Sequence, residues 1–247
     1  MVDRAKVMQR FGHAATRYNA HAELQQEILR ASVARAEHGF EKADIILDVG
    51  AGTGQLASLI QKPVMIIPCD IAPSMCVQTG SSMAVAADFH HLPFKDASVD
   101  VYFSSLAWQW AGDISQVCAE AARVLKPGGV LVVSTLTQGT LVQLAHTMSK
   151  AGQETRMLSY CSEEKYQSAL VAAGFGDIEL QSTTIEKPYD SVLALLHSMK
   201  AIGASYSHAS TPLTRTMLQQ IEAHYPKHES AIMASWQWSM FMARKRA

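Results

Sequence analysis

Short hydrophobic runs alternate with amphipathic stretches through the middle of the chain. Five runs have the length of buried strands, and they lie at residues 44–49, 64–69, 83–87, 100–103 and 130–135. Between the last two, the stretch 114–125 repeats apolar residues with helical spacing. Strands that alternate with helices are typical of a parallel sheet covered on both faces. The pattern therefore predicts an α/β fold.

The end of the chain follows a different pattern. A run at 177–185 indicates a strand, and residues 231–243 alternate in the manner of another strand. Along this last strand Trp236 and Trp238 share one face, while Ser235 lies on the other. Two late strands so close in sequence predict an antiparallel edge, which brings a mostly parallel sheet to seven strands.

Two helical stretches lie outside the predicted sheet, and we expect both to cover the edge where a site would form. One precedes the first strand, and the other occupies about 189–228, between the two late strands. The chain is therefore expected to be one domain with four consecutive parts. These are a helical segment, a core, a helical insertion and a last strand with its tail, at 1–39, 40–187, 188–230 and 231–247.

Composition and charge exclude several classes of protein. The 247 residues are 48% hydrophobic and 17% charged, which rules out wholesale disorder. Lys and Arg total 21 against 22 Asp and Glu, so no overall basic field attracts nucleic acid. No apolar run approaches the ~20 residues of a membrane span, and residues 1–10 lack the apolar core of a signal peptide. The four cysteines form no CxxC pair, which favours free thiols in a reducing cytoplasm.

The strongest local signal is the segment 48–54, Asp-Val-Gly-Ala-Gly-Thr-Gly, directly after the first predicted strand. Glycines permit a tight turn and let a ligand approach the main chain closely. Asp70 closes the next predicted strand, about 20 residues on, where a carboxylate can accept both hydroxyls of a ribose. Both features also suit a dinucleotide.

The spacing of the glycines argues against a dinucleotide. The pattern is GxGxG, whereas dinucleotide sites carry GxGxxG. Asp48 also precedes the first glycine by two positions. An anionic side chain is unfavourable beside a pyrophosphate but favourable beside a sulfonium or amino group. The loop therefore predicts a cationic ligand.

From residue 46 to 135 the sequence resembles the class I S-adenosylmethionine-dependent methyltransferases, which have a Rossmann-like fold. The resemblance rests on the glycine loop, Asp70 and later segments in the same order, at 92–94, 103–105 and 123–129. It implies S-adenosylmethionine as cofactor, with the loop at its methionine part, Asp70 at its ribose and Asp88 at its adenine amino group. The cofactor-binding residues that it implies are Asp48, Gly50, Gly52, Gly54, Asp70, Ile71, Asp88, Phe89 and Ser104.

Segments outside this core resemble the malonyl-acyl-carrier-protein O-methyltransferases of biotin synthesis. They lie at 11–25, 106–110, 134–141 and 198–204, so the resemblance covers nearly the whole chain. It implies that the free carboxylate of malonyl-acyl carrier protein, or of malonyl-coenzyme A, is methylated. The resulting ester allows fatty-acid synthesis to extend the malonyl group toward pimelate. The sequence departs from the family pattern at Ser105, Trp108, Gln143 and His197, which bears on the acyl substrate and the carrier contacts.

The chemistry of this reaction requires few groups from the protein. A malonyl carboxylate is ionised at neutral pH, so no general base is needed and positioning dominates. Tyr18 and His21, three positions apart, would share a helix face, and Gln109 could donate to the carboxylate. These three are the positioning candidates. The substrate-binding candidates are Tyr18, His21, Trp108, Trp110, Lys200 and Arg215.

Each of these residues also has a structural interpretation. Tyr18 and His21 could be a structural pair, the two tryptophans could be core residues, and Gln109, Lys200 and Arg215 could be solvated. The adjacent His90 and His91 are expected to form an exposed turn, and no metal site is predicted. An acyl carrier is acidic, so a local basic surface is expected from Lys187, Lys200, Arg215, Lys227 and residues 244–246.

Base-methylating enzymes of this fold carry an Asp/Asn-Pro-Pro-aromatic motif where this chain has Ser-Ser-Leu-Ala at 104–107, so nucleic acid is not an expected partner.

Three other functions remain open. A methyltransferase acting on a small molecule would share every core motif. A non-catalytic protein that binds S-adenosylmethionine, or a carrier-binding subunit without turnover, would share the loop and Asp70.

Overall fold

The structure is a computed structural model, and it describes residues 3–153, 158–204, 213–228 and 231–246. Within these residues one sheet contains the strands β1 (Ile45–Val49), β2 (Met65–Asp70), β3 (Val85–Ala86), β4 (Val99–Ser105), β5 (Leu125–Leu136), β6 (Phe175–Tyr189), β7 (Lys227–His228) and β8 (Ala231–Lys245). The helices are α1 (Arg4–Ala14), α2 (Glu23–Arg35), α3 (Glu37–Phe40), α4 (Pro73–Gln78), α5 (Ile114–Val124), α6 (Val142–Lys150), α7 (Glu163–Ala172), α8 (Val192–Ala201) and α9 (Arg215–His224). Within the described ranges, no helix is long and apolar enough to cross a membrane.

The sheet has the order β3-β2-β1-β4-β5-β8-β6, and β7 pairs with β8. The first five strands are mutually parallel, while β8 runs antiparallel to β5 and to β6. The prediction of a mostly parallel sheet with antiparallel pairing at one edge is confirmed. The antiparallel strand lies one position in from that edge, and the two-residue β7 is an addition that the hydrophobic pattern did not predict.

Alternating side chains of the central strands fill two cores, one on each face of the sheet. In β1, Ile46 packs into the first core, which lies beneath α2, α6, α8 and α9. Leu47 packs into the second core, which lies beneath α5 and α7. The predicted apolar face of β8 lies wholly in the first core. Phe241 and Ala243 of β8 enter the second core, because β8 is an internal strand with both faces covered.

Helices α1 and α8 meet beside the carboxyl ends of the parallel strands. Ser74 at the start of α4 donates its hydroxyl to the carbonyl of Gly12, which anchors α1 near the end of β2. Gly203, just after α8, has φ +79°, and a Cβ there would lie 2.9 Å from the Arg10 carbonyl oxygen. Only glycine permits both this backbone conformation and this close approach. The N-terminal and late helical segments therefore touch above the same edge of the sheet.

Candidate active site

The glycine loop after β1 is built from residues with left-handed backbone conformations. Gly50, Gly52 and Gly54 have φ of +73°, +54° and +77°. A Cβ on Gly50 would clash with the Cβ of Ala107, and one on Gly54 would lie 2.9 Å from the Cβ of Thr79. A Cβ on Gly52 would meet nothing within 4 Å. Gly50 and Gly54 therefore allow close packing, whereas Gly52 leaves its main chain open to a ligand.

Asp70 is held rigidly at the carboxyl end of β2. Its Oδ2 accepts from the backbone N–H of Gly52 and its Oδ1 from that of Ala72, both at 2.9 Å. Burial raises the pKa of Asp70, and these N–H groups partly offset the rise. Strand β2 and the glycine loop thus fix the orientation of the carboxylate.

Asp48 is a buried carboxylate with no counter-charge among the described residues. It is 4% exposed, and no described residue donates a hydrogen bond to its side chain. Burial, followed by the charge of nearby Asp70, raises the pKa of Asp48 to about 8. A cationic ligand beside these two carboxylates would favour their ionised forms. This environment matches the cationic ligand predicted from the loop.

Asp88 lies after β3 in a network with two partners. Its Oδ1 accepts from the backbone N–H of His90 at 2.9 Å and lies 2.6 Å from the His90 Nδ1, which carries the proton because a carboxylate only accepts. Its Oδ2 pairs with Arg4 of α1 at 2.9 Å. Burial opposes ionisation, but the hydrogen bonds from His90 and Arg4 prevail and lower the pKa of Asp88.

The structure corrects the expectation of an exposed turn at the two histidines. His90 is 1% exposed, and its Nε2 has no hydrogen-bond partner in the part of the chain that the structure describes, whereas His91 is exposed. The Asp88 side chain bonds the backbone two residues later, which turns the His90 ring inward. The Asp-x-His spacing was the sequence signal for this burial, because aspartate commonly caps the N–H two residues on.

Two neighbouring cavities run along this edge of the sheet. The first has about 700 Å³ of space and is lined by Asp70, Asp88 and, from α1, Val7 and Phe11. The second has about 490 Å³ and is lined by residues that include Asp48, Gly52, Asn19, Gln25 and Thr53. Tyr18, Ser105 and Leu106 line both. We call them the outer and inner cofactor cavities.

Tyr18 stands between these two cavities. Burial, with a further contribution from the charge of Asp70, raises the pKa of Tyr18 above its usual range. The hydroxyl therefore stays neutral and can donate. Phe11 packs against Tyr18 with ring centroids 6.5 Å apart and against Trp110 at 5.6 Å. Helix α1 thus supplies an aromatic wall over the outer cavity.

Most of the residues implied as cofactor ligands lie on these cavities, but two do not. Those that line them are Asp48, Gly50, Gly52, Asp70, Ile71, Asp88 and Phe89. Gly54 lines neither of the two and packs against Thr79. Ser104 is fully buried and donates to the Val49 carbonyl at 2.7 Å, which ties β4 to β1. The next residue, Ser105, has the cavity position instead, because successive strand residues face opposite sides.

The segment after β4 separates its two tryptophans. Trp110 lines the outer cavity, whereas Trp108 lies in the second core, with its Nε1 3.2 Å from the Tyr102 hydroxyl. Gln109 donates to the Leu106 carbonyl at 2.7 Å and accepts from the Thr135 hydroxyl at 3.1 Å. The Gln109 carboxamide therefore stabilises the loop at Leu106, where φ is +55°. Both of its ends bond groups of the protein itself, which argues against the predicted role of Gln109 as a donor to the substrate carboxylate.

The remaining substrate candidates lie outside both cavities. His21 is exposed and lines a separate groove with Met199 and Trp236. Lys200, in the last turn of α8, and Arg215, at the start of α9, are exposed.

Of the departures from the family pattern, Ser105 lines the cavities, and His197 is exposed on α8. Gln143 bonds the backbone and hydroxyl of Ser235 on β8.

Comparison with known proteins shows the family and the fold of this chain. Residues 47–133 match the family described as "Methyltransferase domain". Among solved structures, the YcgJ protein from Bacillus subtilis superposes with a TM-score of 0.64 at 18% identity, covering 88% of this chain and 99% of that one. At this identity the similarity establishes the fold.

Two relatives carry the comparison beyond the core. The malonyl-[acyl-carrier protein] O-methyltransferase of Pseudescherichia vulneris is 30% identical, and the alignment covers 96% of this chain and 95% of that protein. The biotin biosynthesis bifunctional protein BioHC of Cellvibrio japonicus is 31% identical over 90% of this chain and 45% of its own longer sequence. The chain therefore belongs to the malonyl-[acyl-carrier protein] O-methyltransferases, within the S-adenosylmethionine-dependent methyltransferases.

Proposed function

We propose that this protein methylates the free carboxylate of a malonyl group carried by an acyl carrier protein, as a step in biotin synthesis. The observation that carries the proposal is the extent of the likeness to the Pseudescherichia vulneris enzyme. The likeness extends over the helices that cover the cavities and is not confined to the cofactor core.

The cavities fit S-adenosylmethionine in charge and in the order of their polar groups. Among the described residues no side chain or N–H donates to Asp48, so the sulfonium or amino group of a bound cofactor would supply the missing positive charge there. Asp70 offers oriented oxygens for a ribose, and Asp88 offers acceptors for an adenine amino group. When bound, the cofactor supplies a methyl group on a positively charged sulfur.

The task of the protein is to bring the carboxylate to that methyl group and exclude water. Carboxylate and sulfonium charges cancel during transfer, so a dry cavity favours the reaction once the carboxylate is held. Tyr18 lies between the two cavities and keeps its proton, so its hydroxyl can donate to the carboxylate. We assign Tyr18 as the positioning residue for the acceptor.

The structure changes which basic residues can face an acidic carrier. Arg244 pairs in register with Val130 of β5, whereas Ser105, which lines both cavities, pairs with Ser134 at the carboxyl end of β4. Four strand residues span roughly 13 Å, so the basic tail lies toward the opposite end of the strands from the cavities. Lys187 and Lys227 are paired with Glu27 and Glu222.

Helix α1 and the turn after it offer a better basic surface. Residues 3–21 contain four basic residues, Arg4, Lys6, Arg10 and Arg17, against a single acid, Asp3. Arg4 pairs with Asp88 and Lys6 with Asp3, so the exposed Arg17 is the main candidate of this segment for an external partner. This segment borders the outer cavity, and Lys200 lies close by because the end of α8 packs against α1. We therefore place the carrier on this face, where complementary charge would steer association.

The direct test is intact-mass measurement of malonyl-acyl carrier protein after incubation with the protein and S-adenosylmethionine. Malonyl-coenzyme A and the unacylated carrier serve as parallel acceptors. A gain of one methyl group on the malonyl carrier, and none on the unacylated carrier, is the expected result. No gain on any malonyl thioester, with cofactor still bound, would reject the proposal and point to a small-molecule acceptor or a non-catalytic role.

A further inference from the structure

Two hydroxyl side chains lie at the border between the outer and inner cofactor cavities. The described residues that line both cavities are Tyr18, Gly50, Gly52, Ser105 and Leu106. Among these, only Tyr18 and Ser105 have polar side chains. Asp70 and Asp88 line the outer cavity, and Asp48 lines the inner one. The sulfur of S-adenosylmethionine joins its ribose to its amino acid, so a cofactor that spans both cavities has its sulfur at this border.

A buried neighbour orients the Ser105 hydroxyl. Ser105 ends β4 and pairs in register with Ser134 of β5. Ser134 is fully buried, and its hydroxyl donates to the Ser105 Oγ at 3.0 Å. The Ser134 carbonyl accepts from the Leu106 N–H at 2.8 Å, which fixes the chain just after Ser105. The proton of the Ser105 hydroxyl has no acceptor among the described residues, so Ser105 can donate it to a ligand in the cavities.

Among the described residues, the inner cavity has no cation that could hold an anionic acceptor. None of those that line it is Lys, Arg or His, and apart from Asp48 its polar side chains are neutral hydroxyls and carboxamides. In the outer cavity, Arg4 and His90 both bond Asp88. An acceptor carboxylate at the border would therefore meet neutral hydroxyls in a region that already contains buried acids.

We propose that the Ser105 hydroxyl, together with that of Tyr18, holds the acceptor carboxylate at this border, with the positive sulfur of the cofactor as its counter-charge. This rests on the proposed function. A carboxylate oxygen uses a lone pair to bond the methyl carbon, while the methyl–sulfur bond breaks and its electron pair stays on sulfur. The products are a neutral ester and a neutral thioether, and both hydroxyls keep their protons. A buried cation in place of the hydroxyls would lose its partner in this step and would oppose the transfer.

Substitution of Ser105 tests its hydroxyl. Ser105→Ala removes the donor and is expected to raise KM roughly 10-fold for malonyl-pantetheine, which carries the malonyl thioester without a carrier protein. The dissociation constant for S-adenosylmethionine is expected to stay unchanged. Ser105→Thr keeps a hydroxyl and should restore most of the parent KM. An unchanged KM in Ser105→Ala would overturn the proposal.

Two further variants separate this effect from a structural one. Ser105→Ala leaves the Ser134 hydroxyl without its acceptor, whereas the double variant Ser105→Ala/Ser134→Ala removes both groups. The double variant should show the same raised KM, and a parent KM there would assign the effect to packing. Ser58→Ala is the matched control, because Ser58 follows the glycine loop but is exposed and lines neither cavity. It should keep the parent KM.

The charge of the bound cofactor provides an independent test. Sinefungin has an ammonium group in place of the methylsulfonium, whereas the sulfur of S-adenosylhomocysteine is neutral. Malonyl-pantetheine is expected to bind the sinefungin complex at least 10-fold more tightly in calorimetric titration, because its carboxylate there has a counter-charge. The neutral amide analogue malonamyl-pantetheine should bind both complexes equally. Equal affinities of malonyl-pantetheine would assign the counter-charge to the protein and overturn the proposal.

Binding and turnover together separate this proposal from the proposed function. If malonyl thioesters gain no methyl group, but the sinefungin complex binds malonyl-pantetheine more tightly and loses this affinity in Ser105→Ala, the proposed function is rejected and the acceptor site is kept. Methylation with an unchanged KM in Ser105→Ala, and with equal binding to the two complexes, would do the reverse.

Discussion

At the scale of single residues, two buried carboxylates set the electrostatics of the cofactor cavities. Asp70 receives backbone N–H groups on both oxygens, whereas Asp48 has no donor among the described residues. Each disfavours ionisation of the other. Asp48 is therefore expected to hold a proton until a cation binds, which couples pH, stability and cofactor affinity at this residue.

The first prediction concerns this coupling. The folded-state pKa of Asp48 is about 8, above its usual value near 4, so between these values the folded protein holds a proton that the unfolded chain releases. Stability of the cofactor-free protein is therefore expected to fall as pH rises from 5 to 9. Asp48→Asn should flatten this fall and weaken cofactor binding at least 10-fold. Thermal unfolding across this pH range and calorimetric titration measure the two effects.

The control for this prediction is Asp190→Asn, since Asp190 is exposed and outside both cofactor cavities. Asp190→Asn should have the same pH dependence of stability and the same cofactor affinity as the parent protein. Equal pH dependence and equal cofactor affinity in Asp48→Asn and Asp190→Asn would contradict the coupling assigned to Asp48.

The second prediction concerns His90. His90→Phe removes the side-chain donor that orients Asp88, so the dissociation constant for S-adenosylmethionine should rise roughly 5- to 10-fold. His90→Asn keeps a donor near the Nδ1 position and should restore most of the affinity. His91→Phe, at the exposed neighbour, should have no effect. An unchanged dissociation constant in His90→Phe would assign the histidine to packing alone.

At the scale of elements, the contact between α1 and α8 determines how the cavities are covered. Arg4, Val7 and Phe11 lie on one face of α1, at helical spacing, and line the outer cavity. The Arg4–Asp88 pair is partly exposed, and such pairs contribute only about 0–1 kcal/mol to stability. The close packing of Gly203 on the α1 backbone is therefore the more important restraint on this helix.

The third prediction tests that packing. Gly203→Ala combines an unfavourable φ with a Cβ 2.9 Å from the Arg10 carbonyl, so it should lower the free energy of unfolding by about 2–3 kcal/mol and reduce turnover. Gly128→Ala has a similar φ, +74°, but its Cβ meets nothing within 4 Å. It should cost only about 1 kcal/mol and leave turnover intact. Urea denaturation and product mass give both quantities, and equal losses in the two variants would contradict the prediction.

At the scale of the whole molecule, the sheet places two basic regions at opposite ends. The α1 segment lies at the carboxyl ends of the parallel strands, next to the cavities, and residues 244–246 lie near their amino ends. Net charge is close to zero, so local distribution and not total charge must select an acidic partner.

The fourth prediction follows from this distribution. Arg17→Glu is expected to raise KM for malonyl-carrier about 10-fold at low salt, while KM for malonyl-pantetheine stays constant. Arg244→Glu should leave both values unchanged. Raising the salt concentration should weaken carrier binding far more than cofactor binding, because exposed charges are screened. If KM for malonyl-carrier changes neither with salt concentration nor with Arg17→Glu, the carrier binds at another surface.

The sequence by itself determined the features that depend on local chain geometry. Strands alternate with helices because their hydrophobic periods differ, and the loop at 48–54 needs glycines because its backbone has positive φ. Asp48, Asp70 and Asp88 follow successive parallel strands, so the sequence predicted that they meet at one edge of the sheet, while their roles toward a cofactor come from the family resemblance and stay predictions. These inferences need only neighbours in sequence and the parallel course of the strands.

Only the tertiary structure decided where long-range contacts direct each side chain. Trp108 lies in a core and Trp110 on a cavity, although they are two residues apart, because a short 3₁₀ helix turns them to different sides. His90 is buried because Asp88 binds it, and the basic tail lies far from the site because β8 runs antiparallel to β5. Direction and burial follow from strand order and packing, and a local pattern does not contain that information.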